Sequence, residues 1–248
     1  MAAIYKVGGC VRDKILGVET KDIDFTFVCQ ESDTVDSGWN EMRTTLQNDG
    51  FEIFLETPEM FTIRAKFPPG HKYSGLVADF VMARKEIGYI EGTRRPVLEL
   101  GTLEDDLIRR DFTLNSLAET EDGEIIDLFG GISALEAGVL ITPRDPMITL
   151  MDDPLRILRA LRFSVTKGFD ISESLWNAMG QPDILEKLKT TVSGERIREE
   201  IMKMMQADTV KSIGILHDVD SYHIPGFMEL IFSRGLWLKP TFEKIKSK

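Results

Sequence analysis

Asp22 and Asp24 stand two apart in Lys21-Asp22-Ile23-Asp24-Phe25, a run that alternates as a strand does. Both carboxylates therefore point to one face. Two such groups repel each other unless a divalent cation neutralises them, and Mg²⁺ suits an oxygen site completed by substrate phosphates and water. Upstream, a short apolar run ends in Gly8-Gly9-Cys10-Val11-Arg12-Asp13. A glycine pair there lets backbone amides approach a triphosphate with no side chain intervening. The two features together are the layout required for two-metal nucleotidyl transfer, one ion activating the attacking hydroxyl and the other steadying pyrophosphate. An isolated Asp-x-Asp is more often a solvated surface pair. The glycine pair is what shifts the balance.

Two further segments carry charge in useful spacing. In Arg109-Arg110-Asp111-Phe112-Thr113-Leu114-Asn115, adjacent arginines suit a triphosphate, while Asp111 and Asn115 suit ribose hydroxyls. In Asp152-Asp153-Pro154-Leu155-Arg156, Pro154 fits the first turn of a helix with Asp153 in the cap region. The apolar stripe Leu155, Leu158 and Leu161 buries one side, and Arg156, Arg159 and Arg162 project from the other. Read alone, each is equally a solvated face on an ordinary helix.

The elements that position these residues divide into two kinds. In the first half, strands are expected at Ile4–Val7, Asp22–Val28, Phe51–Glu56, Phe61–Phe67 and Leu76–Met82, with a helix from about Asp33 to Asn48. Pro68-Pro69-Gly70 reads as a turn and Arg94-Arg95-Pro96 as a loop. Thr102 is the expected N-cap of the next helix. The second half is expected to be helical: a single apolar face runs from Pro146 to Val165, followed by helices at Glu173–Met179, Ile184–Leu188, Gly194–Met205 and Thr209–His217. Strand-like patterning ends near Thr142–Pro146.

Composition narrows the setting. Of 248 residues, 42% are hydrophobic and 29% charged, as in an ordinary globular chain. No apolar run reaches membrane-spanning length and no signal-peptide stretch opens the sequence, so a cytoplasmic protein is expected. Two cysteines and three histidines leave little for a disulfide scaffold or a zinc site. The net charge of −11 argues against a polyanionic partner until it is divided. Residues 1–151 carry 15 basic and 27 acidic side chains, whereas residues 152–248 carry 15 basic and 14 acidic. The acidic half can house metal-holding carboxylates while the other meets a polyanion.

In order along the chain stand Gly-Gly-x-Val-Arg-Asp from Gly8, Lys-Asp-Ile-Asp from Lys21 and Arg-Arg-Asp-Phe-Thr-x-Asn from Arg109. Asp-Leu-Phe-Gly-Gly-Ile from Asp127 and Asp-Pro-Leu-Arg-Ile-Leu-Arg-Ala-x-Arg-Phe from Asp153 follow, then Gly194-Glu195-Arg196-Ile197 with Glu199. This series resembles the class II tRNA nucleotidyltransferases and bacterial poly(A) polymerases of the polymerase β superfamily, over roughly residues 4 to 205. The resemblance implies an α+β fold: a polymerase-β-like head of mixed sheet and helices over residues 1–143, then an all-helical neck and shortened body over 144–248. It also implies Mg²⁺ held by the catalytic Asp22 and Asp24, with Gly8, Gly9 and Arg12 at the incoming nucleotide and Arg110 and Asp111 at phosphate and ribose. Asp153 and Arg156 match a protein template for the base, with Arg159 and Arg162 completing the pocket. Asp79 is a looser candidate for a third acid.

The implied partners are CTP, ATP and the 3′ end of tRNA, with addition of CCA as the expected activity, poly(A) synthesis the alternative, and a catalytically silent RNA-binding module a third option. A homo-oligomer stays open. Glu91–Arg95 resembles the flexible loop associated with A addition. Donor and acceptor chemistry agrees with the template assignment. Cytosine and adenine each offer an amino donor beside a ring acceptor, matching an aspartate that accepts and an arginine that donates. Uracil and guanine set a ring N–H against the arginine, a mismatch costing on the order of a few kcal/mol. Asp152 departs from the family's usual glutamate, and the chain stops soon after Glu195-Arg196, where members usually continue into further helices. The basic segment from Arg234 to Lys248 is therefore expected to help hold tRNA.

Overall fold

The computed structural model describes residues 3–20, 23–89 and 96–233, with backbone alone for 86–89 and 96–97. The chain divides into two compact units, Met1–Glu136 and Ala137–Lys248.

The first unit is built on β1 (Ala3–Val7), α1 (Gly9–Ile15), β2 (Asp24–Val28), α2 (Val35–Asn48), β3 (Glu52–Thr57), β4 (Thr62–Lys66) and β5 (Val77–Met82). It continues through β6 (Arg84–Tyr89), β7 (Pro96–Leu100), α3 (Leu103–Ile108), β8 (Leu117–Glu119), β9 (Ile125–Asp127) and α4 (Gly131–Ala137). Seven strands form one sheet in the order β3-β4-β5-β2-β1-β8-β9, and β6 and β7 pair separately. Only the β2–β5 pairing in the large sheet is parallel.

Register assigns every side chain a face. Arg64, Asp79, Asp24, Val7 and Ala118 form one row across neighbouring strands. One residue along, Ile63, Phe80, Phe25, Lys6 and Glu119 form another row on the opposite face. α2 covers the second face, burying Met42 and Leu46 against Phe25, Phe27, Phe80 and Met82. Its start is fixed by a reciprocal Thr34–Ser37 capping box. α3 begins the same way, Thr102 accepting from the Asp105 backbone while Asp105 caps Thr102 in return. Leu107 of α3 packs on Val7 and Ala118 on the first face.

The second unit holds β10 (Val139–Leu140), α5 (Pro146–Asp152), α6 (Arg156–Lys167), β11 (Asp170–Ile171), α7 (Glu173–Met179), α8 (Pro182–Thr191), α9 (Gly194–Ala207), α10 (Thr209–Asp218) and α11 (Phe227–Phe232). Two expectations are corrected here. The unit is not wholly helical, because β10 and β11 pair in parallel. The single helical face from Pro146 to Val165 is two helices, since Asp153 is extended at φ −142, ψ 99. Proline disfavours helical backbone in the residue before it, which puts the break at Asp153-Pro154. The core of this unit comprises Leu150, Ile157, Leu158, Leu161, Leu175, Ile184, Ile197 and Ile201. Among the described residues, no helix is long and apolar enough to cross a membrane.

Candidate active site

Asp24 opens β2 on the exposed edge of the first face. Its register partner across the parallel β2–β5 pair is Asp79, so the two carboxylates lie on one face. Asp79 is not a bare acid: both of its oxygens accept from Arg64, at 2.7 Å each. The loose third-acid candidate is thus an ion-paired neighbour of Asp24. Asp22 lies outside the described residues, as do Glu91–Arg95 and the segment 234–248.

Immediately after β1, Gly8 takes φ +76, where a side chain is strained, and a Cβ there would fall 2.7 Å from a terminal nitrogen of Arg110. The positive φ is what calls for glycine, and the Arg110 guanidinium lies against this turn. Its Nη2 donates to Asp106 at 2.8 Å, and its buried Nε finds no acceptor among the described residues.

Arg12, Asp111 and Asn115 come together as a buried chain. An Nη of Arg12 donates to Asn115 Oδ1 at 2.5 Å, and Asn115 Nδ2 donates to Asp111 Oδ1 at 2.9 Å. Asp111 also accepts from the Phe112 backbone at 2.8 Å. Arg12 Nε donates to Asp13 at 2.9 Å. Residues drawn from two motifs about a hundred positions apart therefore share one network beside Gly8 and Arg110. α4 supports it: Asp127 accepts from the Gly131 and Ile132 amides at 2.7 and 2.9 Å. A Cβ at Gly131 would come within 2.4 Å of the Thr113 carbonyl, so only glycine lets α4 sit against this turn.

Asp106 was not singled out from the sequence, yet it organises both arginines. It is 1% exposed, and its carboxylate accepts from Arg109 at 2.6 Å, Arg110 at 2.8 Å and the Thr26 hydroxyl at 2.8 Å. Burial alone would raise its pKa. The charges of Arg110 and Arg109, with hydrogen bonds from Arg110 and Thr26, instead hold it well below the usual carboxylate range. Its signal was present: Asp106 lies three and four residues before the arginines in a helix, and Thr26 shares the face of Asp24.

In the second unit, Asp153 is gripped by Arg196 at the start of α9, with contacts of 2.7 and 3.4 Å. Arg156 donates to the Thr149 carbonyl at 3.0 Å. Arg162 donates to Glu200 at 2.6 Å, and Arg159 lies 3.7 Å from the same carboxylate. Arg159 and Arg162 are thus half-buried against α9 and Arg156 turns to α5, so the stripe is not a solvated face. Glu199, which completed the sequence motif, is exposed, and the next residue, Glu200, is the buried acid.

An exposed aspartate on a sheet face, a glycine turn against an arginine and a buried Arg-Asn-Asp chain define a nucleotidyltransferase head. The family profile described as the Poly A polymerase head domain matches residues 4–141. A tRNA nucleotidyltransferase of Schizosaccharomyces pombe is 33% identical over 227 residues, covering 87% of this chain and 46% of its own length. The Bacillus stearothermophilus CCA-adding enzyme, solved in complex with CTP, superposes with a TM-score of 0.69 at 25% identity, covering 91% of this chain and 50% of that one. A tRNA nucleotidyltransferase complexed with a primer tRNA and an incoming ATP analogue gives 0.68 at 29% identity, covering 98% and 63%. The chain belongs to the class II CCA-adding enzyme and poly(A) polymerase family of nucleotidyltransferases. It spans about half the length of the relatives it matches.

Proposed function

We propose that this chain carries the catalytic part of a magnesium-dependent, template-independent nucleotidyltransferase that adds C, C and A to tRNA 3′ ends from CTP and ATP. The supporting observation is the convergence of Gly8, Arg12, Arg110, Asp111 and Asn115 beside the strand that bears Asp24. Arg110, with a buried Nε–H that no described residue accepts, is suited to a phosphate oxygen. Asp111 and Asn115 are suited to ribose hydroxyls.

The reaction joins the tRNA 3′ oxygen to the α-phosphorus, breaks the bond to the β-phosphate oxygen, and releases pyrophosphate and the hydroxyl proton. Asp24, with Asp22, supplies hard oxygen donors that fit Mg²⁺. Bound there, the metal would lower the pKa of the attacking hydroxyl and offset charge on the leaving group. Gly8 lets the triphosphate approach the backbone, and Asp106 keeps Arg109 and Arg110 in place. Asp153 accepts the amino group of cytosine or adenine, and Arg156 donates to the adjoining ring acceptor. Arg196, which holds Asp153 in the free protein, must share that carboxylate with the base.

The test is incubation with tRNA ending at its discriminator base, Mg²⁺ and each labelled nucleotide in turn. Two C residues followed by one A support the proposal. A ladder of A residues means poly(A) synthesis, and no product means a binding module.

A further inference from the structure

A second site lies in the first unit, on the face of the sheet opposite Asp24. There a cavity of about 340 Å³ opens above Lys6, Phe25 and Phe80, under the loop that links β4 to β5. Its wall is aromatic. Phe67 stacks on His71 with centroids 4.6 Å apart and planes 19° apart, and Phe51 leans on Phe67 at 5.0 Å. The polar part is an ion pair: Lys6 Nζ sits 2.6 Å from Glu119 Oε2, the two side chains being 11% and 5% exposed. Lys6 also donates to the Tyr73 hydroxyl at 3.4 Å.

The unused capacity is specific. Lysine has three N–H donors, and the Glu119 ion pair and Tyr73 occupy two. Tyr73 retains its hydroxyl proton. Glu119 Oε1 accepts from Lys14, while its buried Oε2, ion-paired with Lys6, has no hydrogen-bond partner among the described residues. A donor therefore stands beside an acceptor at the edge of an aromatic-walled cavity. The complement is a flat heteroaromatic ring whose edge sets a donor next to an acceptor. Ring stacking on aromatic side chains tolerates any base, so the edge must supply the choice.

We propose that this cavity binds a single nucleobase, separate from the nucleotide-transfer site. For adenine, the amino group donates to Glu119, and the neighbouring ring nitrogen accepts from the Tyr73 hydroxyl and from Lys6. A base could arrive as a free nucleoside or nucleotide, or as one unstacked residue of an RNA strand. The inference does not depend on the catalytic assignment, because the residues involved occupy the other face of the sheet.

Binding is measured on the full chain carrying Asp24→Asn, by calorimetry and by the ring-proton NMR signals of His71 and Tyr73, with adenosine as probe. Adenosine lacks the phosphates that the transfer site grips. Purine riboside, which lacks the amino group, is the control for the edge. The expected result is saturable adenosine binding with movement of the His71 and Tyr73 signals, and at least tenfold weaker binding of purine riboside. Tyr73→Phe keeps the ring and removes the hydroxyl, and Lys6→Met removes the donor. Each should weaken adenosine at least threefold with cooperative unfolding retained. Because Lys6→Met leaves Glu119 with only Lys14, Tyr73→Phe is the decisive variant should Lys6→Met fail to fold. A short oligo(A) that binds more than tenfold tighter than adenosine, with the same loss in Tyr73→Phe, assigns the source to RNA. Equal affinity assigns it to the free nucleoside. The proposal is overturned if adenosine does not bind, if purine riboside binds equally well, or if Tyr73→Phe leaves adenosine affinity unchanged.

Discussion

Asp24 matters more to chemistry than to folding. It is exposed at the first position of β2, so replacing it by Asn removes a charge and buries nothing. Asp24→Asn is expected to lower kcat by about three orders of magnitude or more while unfolding by heat at nearly the parental temperature. Near-normal turnover in a folded variant would remove the metal assignment. Asp106 is the opposite case. Its carboxylate is buried among two guanidinium groups, and Asp106→Asn leaves them uncompensated, at a cost on the order of 3 kcal/mol at neutral pH. The sign of the pH dependence follows from its depressed pKa. The contribution is complete above the unfolded value near 4 and is lost as pH falls from there towards the folded value. Denaturant unfolding of parent and variant should therefore differ most at pH 6–7, with the difference shrinking progressively as pH falls below about 4. A difference that is flat with pH would mean that the ion cluster contributes no net charge stabilisation. The contrast explains what the sequence could show. Asp24, Gly8 and Arg110, which the proposed function sets against substrate, belong to short motifs. Asp106 acts through other side chains, and its only sequence signal is its spacing of three and four from the two arginines.

Helices α6 and α9 carry the residues to which the proposed function assigns base choice, and their ionic contacts differ in kind. Glu200 is 5% exposed and receives Arg162 at 2.6 Å, so Glu200→Gln strands cationic charge between helices. A loss of about 2–3 kcal/mol is expected. Arg196 and Asp153 are 50% and 29% exposed as side chains, and such a pair contributes under about 1 kcal/mol. Arg196→Ala should leave stability within that margin yet raise misincorporation of UTP and GTP, because Asp153 loses the group that orients it. Thermal unfolding and single-nucleotide competition assays separate the two. If Arg196→Ala shifts stability and leaves base choice unchanged, Asp153 is not a template residue. Legibility at this scale followed length. The strands from β1 to β5 alternate over five or six residues, and the helices α7 to α10 carry full apolar faces; both kinds of pattern can be read from sequence. The β6–β7 hairpin begins with Arg84-Lys85-Glu86, and β8 and β9 have three residues each, too few to show a period. The α5–α6 break is legible at Asp153-Pro154, a cap residue and a first-turn proline, although the apolar spacing runs on across it as if one face continued.

For the whole molecule, the distribution of charge governs how the RNA of the proposed function would be met. The surplus of acid lies in residues 1–151, while residues 152–248 are nearly balanced. Much of the basic charge on α6 is already committed, Arg162 and Arg159 facing Glu200. Residues 234–248 bring five cations against one acid, Arg234, Lys239, Lys244, Lys246 and Lys248 against Glu243. Each phosphate contact adds a slope of roughly −0.7 for single strands to −0.9 for duplex in log affinity against log salt. An acidic first half adds repulsion that salt relieves, which flattens the measured slope. tRNA binding by the full chain is therefore expected to weaken steeply between low and physiological salt. Deleting 234–248 should make the slope shallower by about two to four and raise the KM for tRNA, with the KM for CTP unchanged. Filter binding at several salt concentrations, with steady-state kinetics on both proteins, gives the two readouts. A slope that the deletion leaves intact would assign the RNA grip to cations elsewhere in the chain, and α6 would then have to exchange Glu200 for phosphate.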